Sequence, residues 1–241
     1  MNLRIIRLIA FTSIYEFIQS KFSYLIIFFI LILVYVSLLL GVMAVGEEKK
    51  ILMDFFLSMT QIGALFWILI MLANGISSDI ETKRIYLIFS RPVRKSEYIL
   101  GKFIGVIFSS IIVIVFINIV LFLLFAMKKY TIESSYIYEV VRVFVRILVI
   151  SSVSLMFTLI TTSVYSSFII SMMVWFVAHF INELKFALNK IKGSLYVLKY
   201  FLYLFPDFSL LETGNGYVVL LLYFIVFTTI SIFIFERKEI S

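Results

Sequence analysis

The chain has 241 residues, of which 63% are hydrophobic and 15% charged, and it carries a net charge of +7 at pH 7. Soluble globular chains run at roughly 45–50% apolar and about 25% charged, and a single core of this size cannot hide so much apolar surface, so composition excludes an ordinary soluble domain. There is no cysteine and one histidine, His179, which excludes disulfides, thiolate metal sites and a multi-histidine centre, and the positive charge suits anionic lipid headgroups at least as well as nucleic acid.

The first 21 residues predict a cytoplasmic amphipathic helix lying on the membrane. Ala10, Phe11, Ile14, Tyr15, Phe17 and Ile18 share one face, and Thr12, Ser13, Glu16, Gln19 and Ser20 the other. Arg4, Arg7, Glu16 and Lys21 interrupt any apolar run before a cleavage site, so no cleavable signal peptide is expected.

A helix needs about 20 mostly apolar residues to cross the hydrocarbon core. Successive candidates run over 22–45, 55–76, 99–127, 140–160, 163–181 and 217–235. Their apolar runs are continuous, without the alternation of a membrane β-barrel strand. The predicted fold is all-α: one polytopic transmembrane bundle of about six spans, residues 1–241, with an N-terminal interfacial helix. No charge separates the fourth and fifth spans, and the turn is placed at Thr161-Thr162-Ser163. Residues 182–216 are expected outside, as an amphipathic surface segment that Gly193 and Ser194 divide.

With both termini in the cytoplasm, 11 of the 21 basic residues fall on that side, so the raw count decides little. The six between Lys83 and Lys102 form the densest short-loop cluster and place the loop over 78–98, and both termini, inside the cell membrane. In that loop Ser78 is read as the cap of a short helix, with Asp79 and Glu81 in its first turn. Ile85, Leu87, Ile88 and Phe89 make the helix apolar enough to pack, and Pro92 ends it. Alone, such a loop is either an ordinary basic anchor or a dock for a cytosolic partner.

The pattern Glu81, Thr82, Ile85-Tyr86-Leu87, Ser90-Arg91-Pro92-Val93, Arg94, then Glu97-Tyr98 and Leu100-Gly101-Lys102 resembles the permease subunits of type-2 ABC exporters. The nearest branch is the one described as involved in multicopper-enzyme maturation. Leu204-Phe205-Pro206-Asp207-Phe208-Ser209 is a weaker match. The resemblance implies that residues from about Glu81 to Ser90 form a coupling helix seated on a cytosolic ATPase subunit. Glu81, Thr82, Arg84, Ile85, Tyr86, Leu87, Ser90, Arg91 and Pro92 are the coupling residues it implies, and Glu97, Tyr98, Gly101 and Lys102 start the third span. It also implies a homodimer, or a heterodimer with a related permease, and places the N-terminal helix near the ATPase.

No Gly-x-x-x-x-Gly-Lys-[Ser/Thr] phosphate loop occurs in the chain. ATP and magnesium are therefore expected on the partner, with no cofactor, catalytic residue or metal in this chain. Ionisable groups within spans are functional suspects. Arg142 and Arg146, four apart, are read either as a candidate outer vestibule for an anionic group or as side chains that snorkel to the interface, Arg142 pairing with Glu139. Gln61, Asn74 and Asn118 are read as interhelical hydrogen-bonding groups, and the Ser/Thr-rich run over 151–171 as a close-packing surface. Membrane lipids are expected partners and nucleic acid is not. The alternative to a transport subunit is a non-transporting scaffold for an enzyme or assembly factor. A membrane-embedded enzyme is the weakest reading, because the spans hold neither paired acids nor a histidine cluster.

Overall fold

The computed structural model describes residues 2–43, 47–190, 202–212 and 216–238. The end of the first predicted span at 44–45, and the predicted surface helix beyond residue 190 with its break at Gly193 and Ser194, lie outside the described residues. Among the described residues all regular structure is helical: α1 Leu3–Ile18, α2 Lys21–Met43, α3 Glu48–Glu81, α4 Arg84–Phe89, α5 Lys95–Lys128, α6 Ser134–Thr161, α7 Val164–His179, α8 Ile181–Lys190, a 3-10 turn Phe208–Glu212, and α9 Gly216–Arg237.

Four helices, α3, α5, α6 and α9, are long and apolar enough to cross a membrane. A fifth crossing results if α7 and the start of α8, bent by 67°, count as one. α3 and α5 each have 34 residues, about 51 Å at 1.5 Å per residue, well beyond the roughly 30 Å of hydrocarbon. Charged turns that read as loops are therefore helical. α3 begins at Glu48 and ends at Glu81, α5 begins at Lys95, and α6 begins six residues before its predicted span at 140. Backbone hydrogen bonding needs no apolar side chain, so a helix runs on past the bilayer boundary that hydropathy marks.

Non-glycine residues in the left-handed region stand at three of the breaks: Lys83 (φ 57°), Lys129 (φ 56°) and Thr162 (φ 54°). Each follows a helix end, the place where that conformation terminates the helical ladder. Thr162 stands where the sequence places the unmarked turn, with α6 ending at Thr161 and α7 starting at Val164.

The chain packs as two units, Met1–Met71 with Glu97–Ile147, and Leu72–Ser96 with Leu148–Ser241. In the first, one end is knit by charge. Glu48 at the start of α3 accepts from Lys128 at the end of α5 and, at 2.7 Å, from the Tyr130 hydroxyl. Lys49 donates to Glu133 at 2.7 Å and holds the Glu133 carboxyl below the usual carboxylate range. A Cβ on Gly41 would fall 2.5 Å from Glu48 Oε1, so the last turns of α2 reach the same end. Deeper in this unit the Trp67 indole donates to Ser109 at 2.9 Å, a buried link between α3 and α5.

In the second unit the hydroxyls of Ser151, Ser152, Ser154, Thr158, Ser167 and Ser171 are buried. Those of Thr158 and Ser167 meet at 2.5 Å across the α6–α7 turn. The Ser/Thr-rich run packs closely, as its small side chains predict.

Candidate functional site

The loop after α3 begins later than its sequence suggests. Ser78, Asp79 and Glu81 belong to the last turn of α3. Ser78 therefore caps nothing; its carbonyl accepts the Thr82 hydroxyl at 2.6 Å. The short helix is α4, six residues long, against the predicted 81–90. Lys83 turns the chain into it in the left-handed conformation. The Ser90 hydroxyl donates to the Leu87 carbonyl at 2.8 Å and satisfies one of the last carbonyls of α4.

α4 divides its side chains sharply. Ile85 is fully buried, and the Phe89 ring lies 6.4 Å from that of Phe235 near the end of α9. Leu87 is 73% exposed and Tyr86 42%. Glu81, Thr82, Arg84, Ser90, Arg91 and Pro92 are also exposed. The helix is thus pinned from below by Ile85 and Phe89 and turns an apolar and basic surface outward.

The same end of this unit is tied down by two lysines. Lys95, at the start of α5, donates to the carbonyls of Glu236 (3.3 Å) and Lys238 (2.7 Å). Lys238 donates to the Leu159 carbonyl at 2.6 Å, one of the last carbonyls of α6, where a cation is favoured by the helix dipole. Burial pulls the Lys238 ammonium below the usual lysine range. The ends of α6 and α9 and the start of α5 therefore meet around α4.

In the other unit, the start of α5 is a docking face for α1. Glu97, Tyr98, Ile99, Gly101, Lys102 and Phe103 are all buried. The Glu97 carboxylate accepts the Asn2 backbone N–H at 2.6 Å. Added Cβ atoms would lie 2.7 Å from Ile9 Cβ at Gly101, and 2.7 Å from Ser13 Cβ at Gly105. Two glycines four apart lie on one helix face and let another backbone approach closely. Further along, Lys102 donates to Glu16 at 3.0 Å.

The pairs Asn2–Glu97, Ile9–Gly101 and Ser13–Gly105 ascend both helices together, so α1 runs beside the start of α5 in the same direction. This corrects the amphipathic reading. Ser13 and Glu16, assigned to the polar outer face, turn toward α5. Phe11, Tyr15 and Ile18 stay exposed. At so close a crossing the small Ala10 and Ser13 fit where a large apolar side chain would not, and the Ser13 hydroxyl bonds back to the Ile9 carbonyl at 2.9 Å.

Arg142 pairs with Glu139. Arg146 donates to Gln61 of α3 at 3.3 Å. It is the thirteenth of the 28 residues of α6, close to the helix midpoint, because α6 begins six residues before the predicted span at 140. One residue before Gln61, Thr60 accepts from Asn118 at 3.4 Å, and the Tyr136 hydroxyl donates to Asn118 at 2.6 Å. Gln61 and Asn118 thus join helices, as their sequence positions suggest. The His179 ring stacks on Trp175 at 5.4 Å, one turn earlier in α7. Among the described residues no three His, Cys, Asp or Glu side chains converge.

Residues 43–241 match the family described as "Protein of unknown function (DUF2705)". The chain belongs to that family. No curated protein matches it. The DUF2705 region takes in α3 to α9, and with them α4, the start of α5 and the arginines of α6; α1, which docks on α5, precedes it.

Three of these features leave no trace in hydropathy or charge pattern: the α1–α5 face, the Glu48–Lys128–Tyr130 cluster and the C-terminal lysine contacts. The Gly-x-x-x-Gly spacing at Gly101 and Gly105 was the available signal for the first.

Proposed function

We propose that this chain is the permease subunit of an ABC transporter, an exporter whose ATP-hydrolysing subunits are separate cytosolic chains. The observation that carries the reading is α4: a short helix pinned by Ile85 and Phe89, with Leu87, Tyr86, Arg84 and Arg91 turned outward at a point where long helices end. A partner that pushed on that surface would push on the ends of α5, α6 and α9 together, which suits rigid-body gating. The resemblance of Glu81 to Lys102 to the coupling segment of type-2 exporters points the same way.

Six crossings are supported by the way the helix ends group. α6 and α9 both finish beside α4, so the chain between them leaves and returns, with α7 and its bent continuation as one crossing. α2 reaches the end where α3 starts, and so counts as the sixth. Both termini are then cytoplasmic, on the side of the basic loop. α1, fixed to α5 by the Gly101–Gly105 face, lies at that cytoplasmic boundary, with Phe11, Tyr15 and Ile18 toward lipid. Arg142 and Arg146 line the approach from the other side. In this reading the permease is a dimer with two ATPases, which bind the ATP and magnesium; the chain itself is not an enzyme.

The test is purification of the full-length protein, tagged, from its native host. The expected companion is a chain with a Gly-x-x-x-x-Gly-Lys-[Ser/Thr] loop, retained at least about tenfold less by Leu87→Asp, since a charge on a buried contact costs more than about 1.4 kcal/mol. A chain that stays folded in six spans and retains no such partner would leave the scaffold reading in its place.

A further inference from the structure

α6 and α9 both end on carbonyls that their own backbones leave over. In α6 the Thr162 N–H closes onto the Thr158 carbonyl at 3.0 Å, and the chain then turns away through the left-handed Thr162. The next carbonyl, that of Leu159, is taken at 2.6 Å by the Lys238 ammonium, which comes from the end of α9. Leu159 is fully buried, so water is a poor replacement for that bond. In α9 the Lys238 N–H closes onto the carbonyls of Ile234 (3.1 Å) and Phe235 (3.3 Å). The carbonyls of Glu236 and of Lys238 itself go to the Lys95 ammonium at the start of α5, at 3.3 and 2.7 Å. Helices are commonly closed by the residues that follow them. Here α6 is closed by a lysine of α9, and α9 by a lysine of α5. We propose that Lys238 is the positioning residue through which a displacement of α4 reaches α6.

Lys238 is bonded at both ends, by its side chain to α6 and by its carbonyl to Lys95, so one residue joins three helices. It also stands three residues after Phe235, whose ring meets that of Phe89 in α4 at 6.4 Å. Residues three apart share a helix face, so the turn of α9 that supports α4 also carries the lysine. Both bonds are charge-assisted and short. A shift of the α9 end against α6 would leave a buried carbonyl without its donor, which is costly, and α6 follows instead. α6 runs for 28 residues without glycine or proline, about 42 Å, so a shift at Leu159 is felt along its length. Arg237, one residue earlier, carries the same charge but lies 4.1 Å over the Phe233 ring of its own helix. The inference rests on the proposed ATPase pressing on α4 and names the residue that passes that movement on.

The chain has no cysteine, so Val143→Cys places a single thiol on α6, at a fully buried position about 24 Å along the helix from Leu159. The full-length protein carrying it is purified with its ATPase in lipid nanodiscs. Maleimide labelling of its chain is timed with and without ATP plus vanadate. A minor conformation holds about 10% or less of a population, so a shift into it should raise the labelling rate at least about fivefold. Lys238→Met should retain the ATPase as the parent does and lose the rise. Lys238→Arg, which keeps charge and donors, and Arg237→Gln, which removes the neighbouring charge, should both keep it. A full rise in Lys238→Met would overturn the inference. So would loss of the ATPase together with the rise, which would make Lys238 a docking or folding residue, and so would an equal loss in Arg237→Gln. A parent that holds the ATPase and shows no rise overturns the inference alone. A parent that holds no ATPase fails before nucleotide is added and sinks the permease reading along with it.

Discussion

Gly105 is the residue on which the contact between α1 and α5 depends most. A Cβ there would meet Ser13 Cβ at 2.7 Å and the Ala10 carbonyl at 2.8 Å. Gly105→Leu is therefore expected to lower stability by at least the roughly 1–3 kcal/mol of an overpacked core, read as a fall in melting temperature in detergent. Lys102 and Glu16 make a different test. Lys102 is buried and Glu16 half-exposed, so the pair is only partly desolvated. Glu16→Gln removes one carboxylate from Lys102 and costs about 1–2 kcal/mol, less than the 3–5 of a fully buried pair. With Lys102→Met added, the loss should shrink; a double-mutant cycle with no coupling contradicts the contact. Asp207 carries a pH dependence. Burial pushes its carboxyl up, but bonds from Lys185 and Ser209 outweigh that and hold it below its usual value. A carboxyl depressed in the folded state stabilises above its unfolded pKa of about 3.9 and loses that contribution as pH falls through the folded value. Melting temperature should drop more steeply below about pH 4 in the wild type than in Asp207→Asn.

At the scale of the helices, α4 separates packing from docking. Ile85→Ala empties a fully buried site and should cost about 2–5 kcal/mol of stability. Leu87→Ala, on the exposed side of the same helix, should leave the melting temperature unchanged within about 0.5 kcal/mol. Equal effects on thermal unfolding would contradict the orientation of α4. The element scale also shows what the sequence could and could not tell. Apolar runs marked where the long helices lie, and the cluster Thr161-Thr162-Ser163 marked an α6–α7 turn that no charge announces. The runs did not mark where helices end, because Glu48, Lys49 and Glu81 bond their backbones as readily as leucine does. The loop motif from Glu81 to Lys102 was visible as one stretch. Its division was not: α4 with Lys95 packs against the C-terminal end of α9, while Glu97 to Gly105 receive α1. Those contacts join residues more than 80 positions apart in the sequence, and a periodicity within one helix shows which face is special without naming its partner. Ser13 and Glu16 show the consequence, since a helical projection treats every polar side chain as facing water.

For the whole molecule, the proposed topology of six crossings with both termini cytoplasmic is open to a direct test. The chain contains no cysteine, so single cysteines report sidedness without background. In intact cells a membrane-impermeant maleimide should label Met127→Cys, at the exposed end of α5, and leave Leu87→Cys unlabelled until the membrane is opened. The reverse pattern would invert the orientation, and labelling of both from one side would break the alternation of crossings. The central claim is that the exposed side of α4 is where a cytosolic ATPase presses on the membrane helices. The most direct measurement places a photo-crosslinking amino acid at Leu87 in the full-length protein in its native membranes, with a second at Leu221 on an exposed side of α9. The account predicts a cross-link from position 87, and none from 221, to a chain carrying an ATP-binding phosphate loop. If position 87 captures no nucleotide-binding chain while the protein remains folded in the membrane, the account is wrong.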